Sequence, residues 1–116
     1  MSRKYEHAHF ILDIIDTLED NWNDNDAKAF SKELIERCRV IVEQLPKQPF
    51  IAPTACGSIQ MEYTKYNGEY LEFNVFEDRI EVFIVDGIDM EREFELNEES
   101  QINEMCKLIN EFHENN

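Results

Sequence analysis

The chain's fold is decided by four stretches in series. They are Ser58-Ile59-Gln60-Met61-Glu62-Tyr63, Tyr70-Leu71-Glu72-Phe73-Asn74-Val75, Ile80-Glu81-Val82-Phe83-Ile84-Val85 and Ile88-Asp89-Met90-Glu91-Arg92-Glu93-Phe94-Glu95-Leu96. Apolar and polar side chains alternate with a period of two, which predicts strands with one greasy and one wet face. The turns test this, because directly opposed residues share a face and loop length decides whether the apolar sets meet. A two-residue Asn67-Gly68 turn would set Met61 against Asn74. A three-residue Tyr66-Asn67-Gly68 loop instead pairs Tyr63 with Leu71 and Met61 with Phe73, and puts glycine at the left-handed position it favours. A two-residue Glu77-Asp78 loop pairs Val75 with Ile80 and Phe73 with Val82. Parity asks for an odd third loop, and Val85-Asp86-Gly87 sets Ile84 beside Ile88. The expectation is a four-stranded antiparallel meander within residues 50–96.

The flanks read as helix. Phe10, Ile11, Ile14, Ile15 and Leu18 form one apolar stripe over about residues 4–19. A run of Asn and Asp at 20–26 follows, from which Asp24 or Asp26 is expected to cap a second helix reaching Leu45. Phe30, Leu34, Cys38, Ile41 and Leu45 are its stripe, and Pro46 and Pro49 end it. Residues 4–45 are thus expected as a helical hairpin. Residues 97–113 read as a C-terminal helix, capped by Asn97, with Glu98 and Glu99 in its first turn and Ile102, Met105, Cys106, Ile109 and Phe112 inward. The fold class expected is α+β, one domain over residues 1–116, with the helices packed on the apolar sheet face.

Charge bounds the function. Eleven Lys and Arg stand against 26 Asp and Glu, a net −15 over 116 residues. Residues 59–116 hold sixteen acids and four bases, a net −12. Such a field repels phosphate backbones and anionic lipid, so neither direct nucleic-acid binding nor membrane binding is expected, and a basic partner is favoured. No apolar run approaches a bilayer span. The N-terminal stretch, cut by Asp13 and followed by Asp16, Glu19 and Asp20, does not read as a secretory signal. Three widely spaced cysteines, Cys38, Cys56 and Cys106, suggest thiols in a reducing cytoplasm.

Enzyme signatures are missing. The glycines are Gly57, Gly68 and Gly87, too few and too scattered for a phosphate-cradling loop. His7 and His9 point to opposite sides of a helix, and His113 lies near the chain end, so no metal or cofactor is expected and no catalytic residue is assigned. The informative surface is the outer sheet face. There Tyr70, Phe76 and Phe83 form an aromatic centre, and Glu72, Glu81, Asp89, Glu91, Glu93 and Glu95 an acidic rim. Aromatic anchors ringed by charges suit a protein partner. Arg92, alone on the apolar side, is expected to snorkel or to pair with a helix acid. Trp22 is expected as a packing lid.

The stretch Pro53-Thr54-Ala55-Cys56-Gly57-Ser58-Ile59-Gln60-Met61-Glu62-Tyr63, with Asn67-Gly68-Glu69-Tyr70-Leu71-Glu72-Phe73-Asn74-Val75, resembles a small, largely uncharacterised bacterial family. Its members carry a Gly-x-Ile-x-Leu-Glu-Trp strand and an Asn-Gly hairpin, and are often encoded beside toxin–antitoxin genes. The resemblance spans residues 46–87, with Met61 and Tyr63 where the family has leucine and tryptophan. It implies no catalytic residue. The acidic half and its aromatic-centred carboxylate face give the first expectation, an antitoxin- or immunity-like protein that neutralises a basic toxin or nuclease. The second is a phage or mobile-element inhibitor that mimics DNA with its carboxylates. The third is a homodimeric assembly module joined through the sheet edge.

Overall fold

The computed structural model describes residues 4–87 and 90–114. Three helices, α1 (Glu6–Asp16), α2 (Lys32–Gln44) and α3 (Gln101–Glu114), pack with five strands. The strands are β1 (Phe50–Pro53), β2 (Ile59–Thr64), β3 (Tyr70–Val75), β4 (Ile80–Asp86) and β5 (Met90–Glu95), antiparallel throughout and in chain order across the sheet. The α+β class is as expected, but the meander has five strands and not four. The added one, β1, pairs Ile51 with Met61 and Pro53 with Ile59. It is four residues long with a single buried side chain, Ile51, too short to show alternation. Its proline is tolerated because β1 is an edge.

Two hairpins keep the expected register. Tyr63 faces Leu71 and Met61 faces Phe73; Val75 faces Ile80 and Phe73 faces Val82. Gly68 has φ +90° and an added Cβ there would touch nothing within 4 Å. Gly68→Ala should therefore cost only the left-handed backbone penalty, about 1 kcal/mol, in a urea unfolding curve. A neutral result would mean the three-residue loop is not the one formed.

The third hairpin differs. Ile84 faces Arg92, not Ile88, and Asp86 faces Met90; Ile88 and Asp89 lie outside the described residues. This register slides β5 by an even step, so sidedness is kept. It brings Leu96 beside Ile80, where its N–H donates to the Ile80 carbonyl at 2.9 Å and its side chain is buried. The alternative register leaves Leu96 beyond the end of β4, so the gain is one buried leucine.

The helices cover one sheet face. Ile59, Met61, Leu71, Phe73, Val75, Ile80 and Val82 share a continuous core with Leu12, Leu34, Cys38, Val42, Met105 and Ile109. β5 overhangs this layer. Met90 is 61% and Phe94 39% exposed, although both point to the apolar side. Arg92 is exposed beside them, as a snorkelling edge residue should be.

The expected helical hairpin is corrected in two ways. First, α2 begins at Ser31, whose hydroxyl accepts the Leu34 N–H at 3.1 Å, and not at Asp24 or Asp26. Asn21, Asp24 and Asp26 adopt positive φ. Asp20, Asn21 and Asn23 side chains accept N–H groups of Ala29, Asp26, Asn25 and Ala27, so this segment knits an irregular loop. Trp22 closes it, donating to the Lys28 carbonyl at 3.0 Å and packing on Phe30 at 5.9 Å. Second, α1 is rolled from the expected stripe. Ala8, His9, Leu12 and Ile15 are buried, while Phe10 and Ile14 are exposed. His9 Nε2 lies 3.3 Å from Glu43 Oε1 without hydrogen-bond geometry, and Arg39 bonds Asp13 at 2.6 Å. At the other end of the chain, α3 starts at Gln101. Glu98 and Glu99 precede it, and Glu104 reaches back to the Asn97 N–H at 3.1 Å.

Cys38, Cys56 and Cys106 are free thiols; Cys38 is buried and Cys56 exposed. Burial pushes the Cys38 thiol up to about 12, against weaker opposing fields from Arg37 and Arg39. A thiol-reactive disulfide reagent should label Cys56 first and Cys38 about 100-fold or more slowly, limited by opening of the fold. Equal rates would contradict the packing of α2 on the sheet.

Candidate functional site

The opposite sheet face is built by register. Strand pairing aligns Phe50, Glu62, Glu72, Phe83 and Glu93 in one row across all five strands. A flanking row holds Ala52, Gln60, Asn74, Glu81 and Glu95, and on the other side Thr64, Tyr70, Val85 and Glu91 lie in line. The helices pack on the other side, so these side chains face outward and are half-buried by one another or exposed.

Tyr70 is the organising residue. Its hydroxyl lies against Glu62 and donates to Glu72 Oε1 at 2.6 Å, while Gln60 Nε2 donates to it at 3.2 Å. Asn74 in turn donates to Glu72. Burial and the two facing carboxylates raise the phenol's pKa well above its ordinary value, so it acts here as a protonated donor. Its ring packs edge-on to Phe83 with centroids 6.2 Å apart. Phe76, just past the end of β3, is capped by the Arg79 guanidinium at 3.8 Å. Arg79 also bonds Glu81 at 2.7 Å and Asp78 at 2.9 Å.

The expected site residues divide accordingly. Tyr70, Glu72, Glu81, Phe83, Glu93 and Glu95 come together, and Glu72, Asn74, Glu81, Phe83, Glu93 and Glu95 border a shallow concavity of about 570 Å³. Glu91 continues the rim beside Val85. Phe76 sits at the border under Arg79, a partly satisfied ring. Asp89 lies outside the described residues. Ser58, the polar residue that opens the β2 stretch, is buried and bonded to Thr54 and Asn74. Glu62 and Gln60, the polar positions of the β2 stretch, pin Tyr70. One contributor was missed: Phe50, 60% exposed, adds an aromatic at the β1 end of the central row. Phe50 could have been found only by recognising the short first strand.

No protein-family model, curated protein or solved structure matches the chain.

Chemically the face offers hydrogen-bond acceptors, fixed negative charge and aromatic edges. Glu81 and Glu95 are directly opposed, a like-charge arrangement that destabilises a strand pair, offset in part by Arg79 on Glu81. Glu91, Glu93 and Glu95 make no ion pair among the described residues. Among those residues no group of three or more His, Cys, Asp or Glu is placed to hold a metal ion, and no helix is long and apolar enough to cross a membrane.

Proposed function

We propose that this chain is a non-enzymatic protein-binding module that engages a basic partner through the uncovered sheet face, in the manner of an antitoxin or immunity protein. The observation that carries this is the rim of Glu81, Glu91, Glu93 and Glu95 beside Tyr70 and Phe83, lined up by strand register with Glu81 directly opposite Glu95. Like charges kept side by side weaken the fold, and an oppositely charged partner offsets that cost on binding. The aromatic centre supplies apolar contact with two already positioned rings, so little entropy is lost when it is covered. The resemblance noted for residues 46–87, to proteins often encoded beside toxin–antitoxin genes, makes the product of a neighbouring gene the first partner to try.

The test is calorimetry of the full chain with that product at low and moderate salt. The dissociation constant should weaken about tenfold or more between the two, because the steering field is screened within about one Debye length. A complex indifferent to salt, or none at low salt, removes this reading.

A further inference from the structure

The two edges of the sheet are unlike. β1 is short and ends in Pro53, which has no N–H to offer. β5 is six residues long, and every one of them is exposed. An antiparallel pair alternates between residues that exchange backbone hydrogen bonds and residues that do not. Leu96 donates to Ile80 at 2.9 Å. Two-residue steps back along β5 therefore turn the backbone groups of Phe94, Arg92 and Met90 toward β4, where they face Val82, Ile84 and Asp86. The N–H and C=O groups of Glu91, Glu93 and Glu95 point to the open side. Those same residues raise carboxylates on the outer face, while Met90 and Phe94 leave apolar surface uncovered on the other.

An antiparallel pair with the β5 of a second copy is disfavoured there. In every antiparallel register that keeps two β5 outer faces level, an odd-numbered residue meets an odd-numbered one, so glutamate opposes glutamate. Like charges directly opposed destabilise a strand pair, and the edge is thus guarded against that pairing.

We propose that β5 is a docking edge for an extended segment of a basic partner, which adds as a sixth antiparallel strand. Its lysine or arginine side chains alternate opposite Glu91, Glu93 and Glu95. The residues between are apolar against Phe94 and Met90 and acidic against Arg92. Backbone hydrogen bonds supply the attachment and the alternating side chains the selectivity. The inference rests on the basic-partner reading and names how that partner is held.

The probe is the capped peptide Lys-Val-Lys-Glu-Lys-Val, titrated into the full chain in low-salt buffer and followed by backbone amide exchange. In the free protein the amides of Glu91, Glu93 and Glu95 should exchange fast, and those of Arg92 and Phe94 slowly. Saturating peptide should slow the three glutamate amides about tenfold or more. N-methylating the peptide's three lysines keeps every charge and removes the N–H groups that face β5. This should weaken binding about tenfold or more. Equal binding by the methylated peptide overturns the strand-addition mode and leaves the basic-partner reading standing. Binding by neither peptide also overturns strand addition. Failure of the basic-partner reading itself is seen separately, in the calorimetry with the neighbouring gene's product.

Discussion

Phe73→Ala should lower the unfolding free energy by about 4 kcal/mol, whereas Phe83→Ala should lower it by less than about 1.5 kcal/mol. Both residues sit in central strands one register step apart, Phe73 opposite Val82 and Phe83 opposite Glu72. What separates them is the face. Phe73 is fully buried in the core that α1, α2 and α3 close. Removing its ring leaves a cavity that a close-packed sheet and helix layer cannot collapse around. Phe83 lies on the open side, where water takes up the vacated volume and the loss is its contact with Tyr70. Urea unfolding with an unchanged m-value measures both. Equal costs would mean that the helices do not all lie on one side.

The second large effect is on association. A triple variant, Glu91→Gln, Glu93→Gln and Glu95→Gln, should slow association with a basic partner roughly 10- to 100-fold at low salt. The same variant should be slightly more stable than the natural chain, by roughly 0.2–1 kcal/mol, because Glu81 no longer opposes a charged Glu95. Opposite signs in binding and stability are the mark of charges kept for recognition. Stopped-flow association and denaturant unfolding on the same sample read the two. Unchanged association would place the binding surface elsewhere.

How much of this was legible in the sequence depended on how strongly each element is specified. The β2–β3 and β3–β4 registers were readable because Gly68 demands a left-handed turn position and because slipping by one residue would turn Phe73 and Val82 outward. The third register was not. An even slide preserves sidedness, so alternation cannot choose between Ile88 and Arg92 as the partner of Ile84. Burial of Leu96 against Ile80 decides it, and that contact is visible only once the end of β4 is placed. The roll of α1 was misjudged because the larger side chains Phe10 and Ile14 outweighed Ala8 and Leu12 in the stripe. Yet Ala8, Leu12 and Ile15 also follow helical spacing, and they are the ones buried. The start of α2 was set too early, because Asn and Asp side chains that cap helices serve equally well to tie loops. Of the candidate surface, Tyr70, Glu72, Glu81, Phe83, Glu93 and Glu95 were readable from alternation alone. Glu62 and Gln60 gain their role from the cross-strand alignment that sets Glu62 against Glu72, and Phe50 from a strand too short to announce itself.

The most direct measurement of the central claim is a nitrogen–proton correlation titration of the labelled chain with its basic partner. Shift changes should gather on Glu72, Glu81, Phe83, Glu93 and Glu95 and leave Phe10, Ile14 and Val40 on the helical side unmoved. Changes gathered on α1 and α2, with the β-sheet signals still, would contradict the account.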